Sequence, residues 1–414
     1  MIVTTLLSLG LVFQATAPDE TTPRWYRGNT HTHTLWSDGD ASPDHVVKWY
    51  ADNGYQFLVL SDHNVMQQGE RWFPVAEGGR LTPQQLDALV TEFGADSVET
   101  REEGGLTELR LQTLEELQER FDQPGRFMLI PGEEVTDRFR LAEVHINALN
   151  VIETVGPQHG DSVQATIQNN LDAIAAHGRT HDRSVLAHLN HPNFRTSLGV
   201  NNLAEMRGER FFEVYNGHRS VDNEGSVADH STESLWDQAL VLRLHEGAGD
   251  GELLYGLATD DAHDHYEVDA VSVPGRGWIM VRSESLQADA IIDAMKRGDF
   301  YASSGVTLSE VACDERLLKI SIDAQPGITY TTEFIGVGES ETGIRPTAEV
   351  LQVTTENPAS YTFTGDELYV RARITSSRAH PRPYAEGDWE QAWTQPVRPT
   401  VTPTSETSPP SDDP

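Results

Sequence analysis

The 414-residue chain has a single cysteine, Cys313, so no disulfide can close within it and no thiolate cluster can hold a metal. Lysine is nearly missing: Lys48, Lys296 and Lys319 are the full set. With 30 basic against 65 acidic residues the formal net charge is −35. A surface so short of cations excludes bulk binding to a phosphate backbone. It suits a small anionic ligand only where a local cationic centre draws that ligand in. Past the N-terminus no apolar run reaches the ~18–20 residues of a membrane span. No internal repeat is visible, and the length allows two or three domains, or one large one with additions.

The two ends differ from the middle. Residues Ile2 to Phe13 are apolar and lead into Ala15-Thr16-Ala17, which predicts a signal peptide over 1–17 and an exported, soluble protein. The missing basic residue before the apolar run and Pro18 after the small residues depart from that pattern. From Thr394 the chain is rich in Pro, Ser, Thr and acid, which predicts a disordered tail over 394–414.

Between about residues 24 and 305, short apolar runs such as "FLVL" and "FMLI" alternate with helical patterns. This predicts βα units around a parallel sheet, open or closed into a barrel. Ser42-Pro43 opens one helix, "TELRLQTLEELQERF" has helical spacing, and "SLQADAIIDAMKRG" closes on Gly298. Residues 64–126 read as an acidic insertion at the rim, with "EGGR" and "REEGG" as turns. Residues 306–393 alternate like strands without helices between them, a smaller β-rich domain.

Histidine is what the chain has. Fifteen of the 16 lie before residue 266. Ligand-type residues recur where strands are expected to begin or end: His31 and His33, Asp62 and His63, Glu133 and Glu134, His145, His188 and His191, Asn216, then Asp260, Asp261 and His263. Any one of these motifs is as readily a solvated loop. Together, at the strand ends that form the ligand crevice of an α/β fold, they would be costly to bury without cations. The joint pattern predicts a polynuclear metal site. His45, His159, His177, His181, His218, His230, His245 and His380 read as mostly exposed.

The motifs "HTHTLWSDG", "LSDHN", "PGEEVT", "HINALN", "HLNHP", "FFEVYNG" and "TDDAHD", in that order over residues 24–305, resemble the PHP (polymerase and histidinol phosphatase) superfamily of metallohydrolases. "GRGWIMV" and "RGDFYASSGV" resemble an exported, carbaryl-hydrolase-like subgroup. The resemblance implies a distorted (β/α)7 barrel with two or three divalent ions. It implies that His31, His33, Glu134 and Asp261 bind one ion, that Glu134 bridges to a second held by His145 and His191, and that His63, His263 and Asp38 hold a third. Asp38 decides whether the centre takes two ions or three. The amidohydrolases also begin with HxH but commonly use a carboxylated mid-barrel lysine; no lysine lies between Lys48 and Lys296.

Mixed imidazole and carboxylate donors suit zinc, manganese or iron. Two ions sharing Glu134 would share a water whose pKa falls toward neutrality, and the cationic site would attract a small anionic ester. A phosphoesterase is the leading expectation. A carboxyl or carbamate ester hydrolase is the second, and a polymer-binding module without catalysis is the third. Asp62 and Asn64 are expected to orient His63. Arg195, Arg219 and Arg276 are candidate phosphate clamps, and a metal-bound water or His265 would protonate the leaving group. The oligomeric state is not legible.

Overall fold

The chain enters the fold through β1 (Arg24–Asn29). Gly28 lies beneath Phe57, where a Cβ would stand 2.1 Å from the ring, so the missing side chain lets neighbouring strands close up. The helix Pro43–Asp52 follows, with Ser42 at its N-cap and Pro43 in its first turn. It returns the chain to β2 (Phe57–Val59), which is parallel to β1, and β3 (Met128–Ile130) adds parallel to β2. The computed structural model describes residues 22–195, 197–226, 230–340, 343–344 and 347–399. The signal peptide expected at 1–17 lies outside them.

Residues 64–126 form their own layer between β2 and β3. Strands Trp72–Pro74, Leu106–Arg110 and Thr100–Glu103 make an antiparallel sheet. Gly104 and Gly105 turn its hairpin with φ of 60° and 84°, a conformation that costs a residue with a Cβ. Leu81, Leu89, Leu109 and Leu111 pack on Leu35 and Trp36 from the loop after β1. Helical spacing over 107–121 becomes helix only at Leu114–Phe121. Thr113 and Glu116 form a reciprocal capping box there, which sets the start, while Leu106–Arg110 is strand.

The expected all-parallel sheet is corrected at the next step. β4 (Gly132–Phe139) and β5 (Ala142–Leu149) form an antiparallel hairpin turned at Arg140, whose φ is 58°. β5 is also antiparallel to β6 (Leu186–Leu189), and parallel pairing resumes through β7 (Phe211–Asn216) and β8 (Tyr255–Thr259). β9 (Trp278–Ser283) then pairs antiparallel with β1. The strands therefore lie in two sheets and not in a closed (β/α)7 barrel. Single bridges, Thr32 to Ala262 and His63 to Glu134, tie the sheets where the histidines gather. Tyr26, Phe57, Ile130, Leu186, Phe211, Leu257 and Ile279 from both sheets meet in one core. Ile291, Ile292 and Met295 of the helix Ala288–Arg297 also pack there.

The C-terminal strands continue the first sheet. β10 (Phe300–Ser303) pairs with β9 on one side and with β11 (Trp389–Thr394) on the other. The strands Glu367–Ala379 and Tyr330–Ser340 follow outward. Arg371, buried, reaches Asp237 with two bonds of 2.8 Å, which fastens this region to the helix Thr232–Glu246. The tail boundary at Thr394 is also corrected. Thr394 is buried in β11, and the Gln395 side chain bonds both the N–H and the C=O of Gly256 at 2.9 and 2.8 Å. The remainder of the expected tail, from residue 400, lies outside the described residues.

Candidate metal centre

Residues 30–40 fold back tightly to build the first part of the site. Leu35 N–H donates to Ala41 O at 2.9 Å and Gly39 N–H to Thr34 O at 3.0 Å. A Cβ on Gly39 would sit 2.7 Å from the His33 carbonyl, so glycine is needed for this approach. The turn carries Asp38 to within 3.4 Å of His63 and 3.3 Å of His263. Asp62 anchors that turn and corrects its expected role on His63. It accepts from Thr34 N–H (2.8 Å), Thr34 Oγ1 (2.9 Å), Ser37 Oγ (2.6 Å) and Gln67 Nε2 (2.8 Å). Asn64 exchanges two bonds with the backbone of Thr136.

All nine expected ligands converge. Glu134, fully buried on β4, is the centre. Its Oε1 lies 3.0 Å from His145, 3.5 Å from His31 and 3.5 Å from His191. Its Oε2 lies 2.8 Å from His63 and 3.4 Å from His33. Asp261 Oδ1 is 3.2 Å from His31 and 3.3 Å from His33. Four overlapping donor sets result: His31, His33 and Glu134; His31, His191 and Asp261; His63, Glu134 and His145; and His33, Asp38, His63 and His263. His191 thus groups with His31 and Asp261, while His145 groups with His63. Asp261 (φ 49°) and His191 (φ 25°) hold left-handed backbone conformations, which ordinary residues adopt at a cost of about 1–3 kcal/mol and which concentrate at functional sites.

The donor chemistry fits cations. His31 Nε2, His33 Nε2, Glu134 Oε2 and both nitrogens of His145 are buried without a hydrogen-bond partner, and orphan polar atoms at one place call for a partner. The electrostatics agree. Burial opposes charge on His63, yet Glu134 and Asp38 outweigh it and push its pKa up to about 11. His263 rises to about 9 against burial, through Asp38 and Asp261. His33 falls to about 3 through burial and the neighbouring His263 and His63. Glu134 and Asp261 stay well below the carboxylate range because surrounding imidazoles overcome burial. The carboxylates therefore demand positive charge, which protons on imidazole or bound metal can supply.

Sequence reading missed the supporting layer. Glu213, buried on β7, accepts from His31 Nδ1 at 2.6 Å. A carboxylate can only accept, so the Nδ1 proton is fixed and a neutral His31 ring would turn its Nε2 lone pair to the cluster. Without metal, burial opposes charge on His31, yet Asp261, Glu213 and Glu134 overcome it and hold its pKa well above the usual value. Glu213 also accepts from Thr259 Oγ1, the His191 N–H and Asn216 Nδ2, each at 2.8 Å. Asn190 Nδ2 donates to Glu134 at 2.8 Å, and Asn216 Nδ2 to Asp261 at 3.1 Å. The signal was a glutamate inside an otherwise apolar run, "FFEVYN".

Other expected site residues stand elsewhere. His265 is corrected as a leaving-group acid. Its Nε2 lies 3.1 Å from the His33 carbonyl, and burial pushes its pKa down to about 3. Arg219 is corrected as a clamp: its guanidinium donates to the carbonyls of Tyr384 (3.1 Å), Asp269 (2.9 Å) and Pro383 (3.1 Å). Arg276 is buried and likewise donates to Gly217, Val271 and Ala270. Arg195 is exposed, 3.6 Å from Glu143. His177 and His380, expected outside, are buried, and His218 is half-buried beside His263.

No protein-family model matches the chain, and no curated protein matches it. Among solved structures it is similar to a two-domain protein from Bacteroides vulgatus containing a predicted PHP-like metal-dependent phosphoesterase, at 13% identity and a TM-score of 0.40, over 94% of this chain and 100% of that one. It is also similar to a proposed metal-dependent phosphoesterase from Bifidobacterium adolescentis, at 14% identity and a TM-score of 0.29, over 57% and 87% of the two chains. A third is an amidohydrolase from Chromobacterium violaceum, at 15% identity and a TM-score of 0.25, over 58% and 88%. Overlap at this level leaves the functional reading to the side chains.

Proposed function

We propose that this chain is a metal-dependent hydrolase of the PHP type, cleaving ester bonds and foremost phosphate esters. The observation that carries the reading is the set of buried, unpartnered donor atoms gathered around Glu134. The two oxygens of Glu134 face different imidazoles, His31, His145 and His191 on one side and His33 and His63 on the other. That division suits a carboxylate shared between ions. Asp38, with His33, His63 and His263, supplies donors for a third. Zinc, manganese or iron fits this mixture, and such ions when bound supply Lewis-acid activation of water and of the scissile ester. The chain's own work is to hold His31 in one tautomer through Glu213, to fix Asp261 through Asn216, and to keep the 34–40 turn in place through Asp62.

A carboxyl or carbamate ester is the second reading. It is favoured by the engagement of Arg219 and Arg276 with backbone carbonyls, which leaves anion recognition to the ions and to hydrogen-bond donors. Metal analysis of the purified chain, followed by turnover of p-nitrophenyl phosphate, bis(p-nitrophenyl) phosphate and p-nitrophenyl acetate, separates the two. Phosphate ester turnover that disappears on chelation and in His145→Ala is expected. Bound metal with turnover of acetate alone would sink the phosphoesterase reading. No metal uptake and no turnover with manganese or zinc added would leave a binding protein.

A further inference from the structure

We propose that His218 faces the substrate of this hydrolase, offering its Nε2–H to an oxygen of the bound ester, and that residues 382–384 of the C-terminal region hold it in position. The proposal rests on the hydrolase reading above. Ser220 N–H donates to His218 Nδ1 at 3.1 Å, so the neutral ring carries its proton on Nε2. The ring is half-buried and stands edge-on to His263, with centroids 5.6 Å apart, and to Phe194 at 6.4 Å. Phe194 in turn packs against His191 at 5.3 Å. His218 therefore sits between the two flanks of the donor cluster while taking part in none of its donor sets.

One side chain ties His218 to the centre. Asn216 Oδ1 accepts the His218 backbone N–H at 2.8 Å, while its Nδ2 donates to Glu213 and Asp261. Asn216 thus joins Asp261 to the loop that presents the imidazole. The same loop is pinned from outside. Arg276 Nη1 holds the Gly217 carbonyl at 2.7 Å, Arg219 reaches the carbonyls of Pro383 and Tyr384, and the Tyr384 hydroxyl donates to the Val221 carbonyl. Arg276 Nε also donates to Arg382 O at 3.3 Å. The arginines that look like clamps for an anion position the loop, and the loop presents an N–H in their place. The hydrogen bond transfers no proton: a neutral imidazole stabilises charge on an ester oxygen as a fixed donor.

The test uses the metal-loaded full chain with p-nitrophenyl phosphate as substrate and inorganic phosphate as competing ligand. His218→Ala is expected to keep its metal content, to lower kcat/KM by about 100- to 1,000-fold, as loss of one oxyanion donor does, and to weaken phosphate inhibition. His218→Gln, which keeps an N–H at similar reach, is expected to recover part of both. Tyr384→Phe, which removes the bond to Val221, is expected to shift the same two quantities less, at unchanged metal content. Turnover and phosphate inhibition of both His218 variants within twofold of the parent would overturn the inference while leaving the hydrolase reading intact. A parent that binds metal yet turns over no ester would overturn both.

Discussion

Glutamine at position 213 is the most informative perturbation of the centre, because it removes a charge while keeping shape. Glu213 is fully buried and its two oxygens receive four donors: His31 Nδ1 and Thr259 Oγ1 on Oε1, the His191 N–H and Asn216 Nδ2 on Oε2. Its pKa is held at about 2, because His31, His188 and His191 outweigh the burial that would raise it. An amide has one acceptor end. If its NH₂ replaces Oε2, the His191 N–H and Asn216 lose their acceptor. If it replaces Oε1, His31 must move its proton to Nε2 and lose the lone pair aimed at the cluster. Bonds to a charged acceptor are worth about 1.5–3 kcal/mol each, so two lost bonds cost roughly 3–6 kcal/mol of stability in the metal-free protein. For metal, loss of such a supporting carboxylate typically costs about 10- to 100-fold in affinity. Denaturant unfolding of the metal-free chain and a chelator competition on the loaded chain measure the two separately. Unchanged metal affinity in a folded Glu213→Gln variant would refute the view that Glu213 sets the His31 tautomer.

Three further outcomes follow from other parts of the molecule. Burial pushes the Glu209 carboxyl up to about 8, against a smaller opposing pull from Lys296. Because the folded value exceeds the unfolded one, the folded state binds the extra proton, and stability falls as pH rises from about 4.5 to about 8. Glu209→Gln should flatten that decline in melts taken at pH 5 and pH 8, and an unaltered slope would refute it. Arg371→Met leaves the half-buried Asp237 without its cation and leaves Glu233 with Arg373 alone. Leaving an acceptor of this kind unpaired costs about 1–3 kcal/mol, visible as a fall in Tm, whereas a surface pair would give almost none. Thr113→Ala removes the capping box of the Leu114–Phe121 helix and should cost about 1 kcal/mol in denaturant unfolding.

The clustered donors were legible because they depend on residue type at strand ends, and that pattern survives an error in topology. Glu134 and His145 reach the cluster from an antiparallel hairpin, which an all-parallel reading does not contain. The hairpin left little trace, since "RFRLAE" carries no Gly, Asn or Pro and turns on Arg140 with φ of 58°. The 107–113 segment misled for a related reason. Alternating residues in "TELRLQT" also fit a helical period over so short a window, and only the Thr113–Glu116 pair separates strand from helix. Glu213 escaped because a lone carboxylate in an apolar strand gives no spacing to recognise. Its four donors come from β1's exit, the loop after β6, β7 itself and β8, elements that only the fold brings together.

The arginines show where a one-dimensional reading must stop. Arg219 follows a strand end beside His218, as an anion clamp would, and Arg276 lies in a glycine-rich loop; neither residue reads differently in sequence whether it meets a phosphate or a carbonyl. What decides between those fates is where the chain returns more than 100 residues later. The β9–β10–β11 pairing places Arg382, Pro383 and Tyr384 over the loops at 217–221 and 269–276. Once those carbonyls are present, a guanidinium with several fixed acceptors gains more by binding them than by waiting on solvent for a ligand. The C-terminal strands are therefore coupled to the centre by the same interactions that removed its expected cations. Weakening that contact should register in turnover before it registers in metal binding, because the loop it holds carries His218 and none of the nine expected ligands.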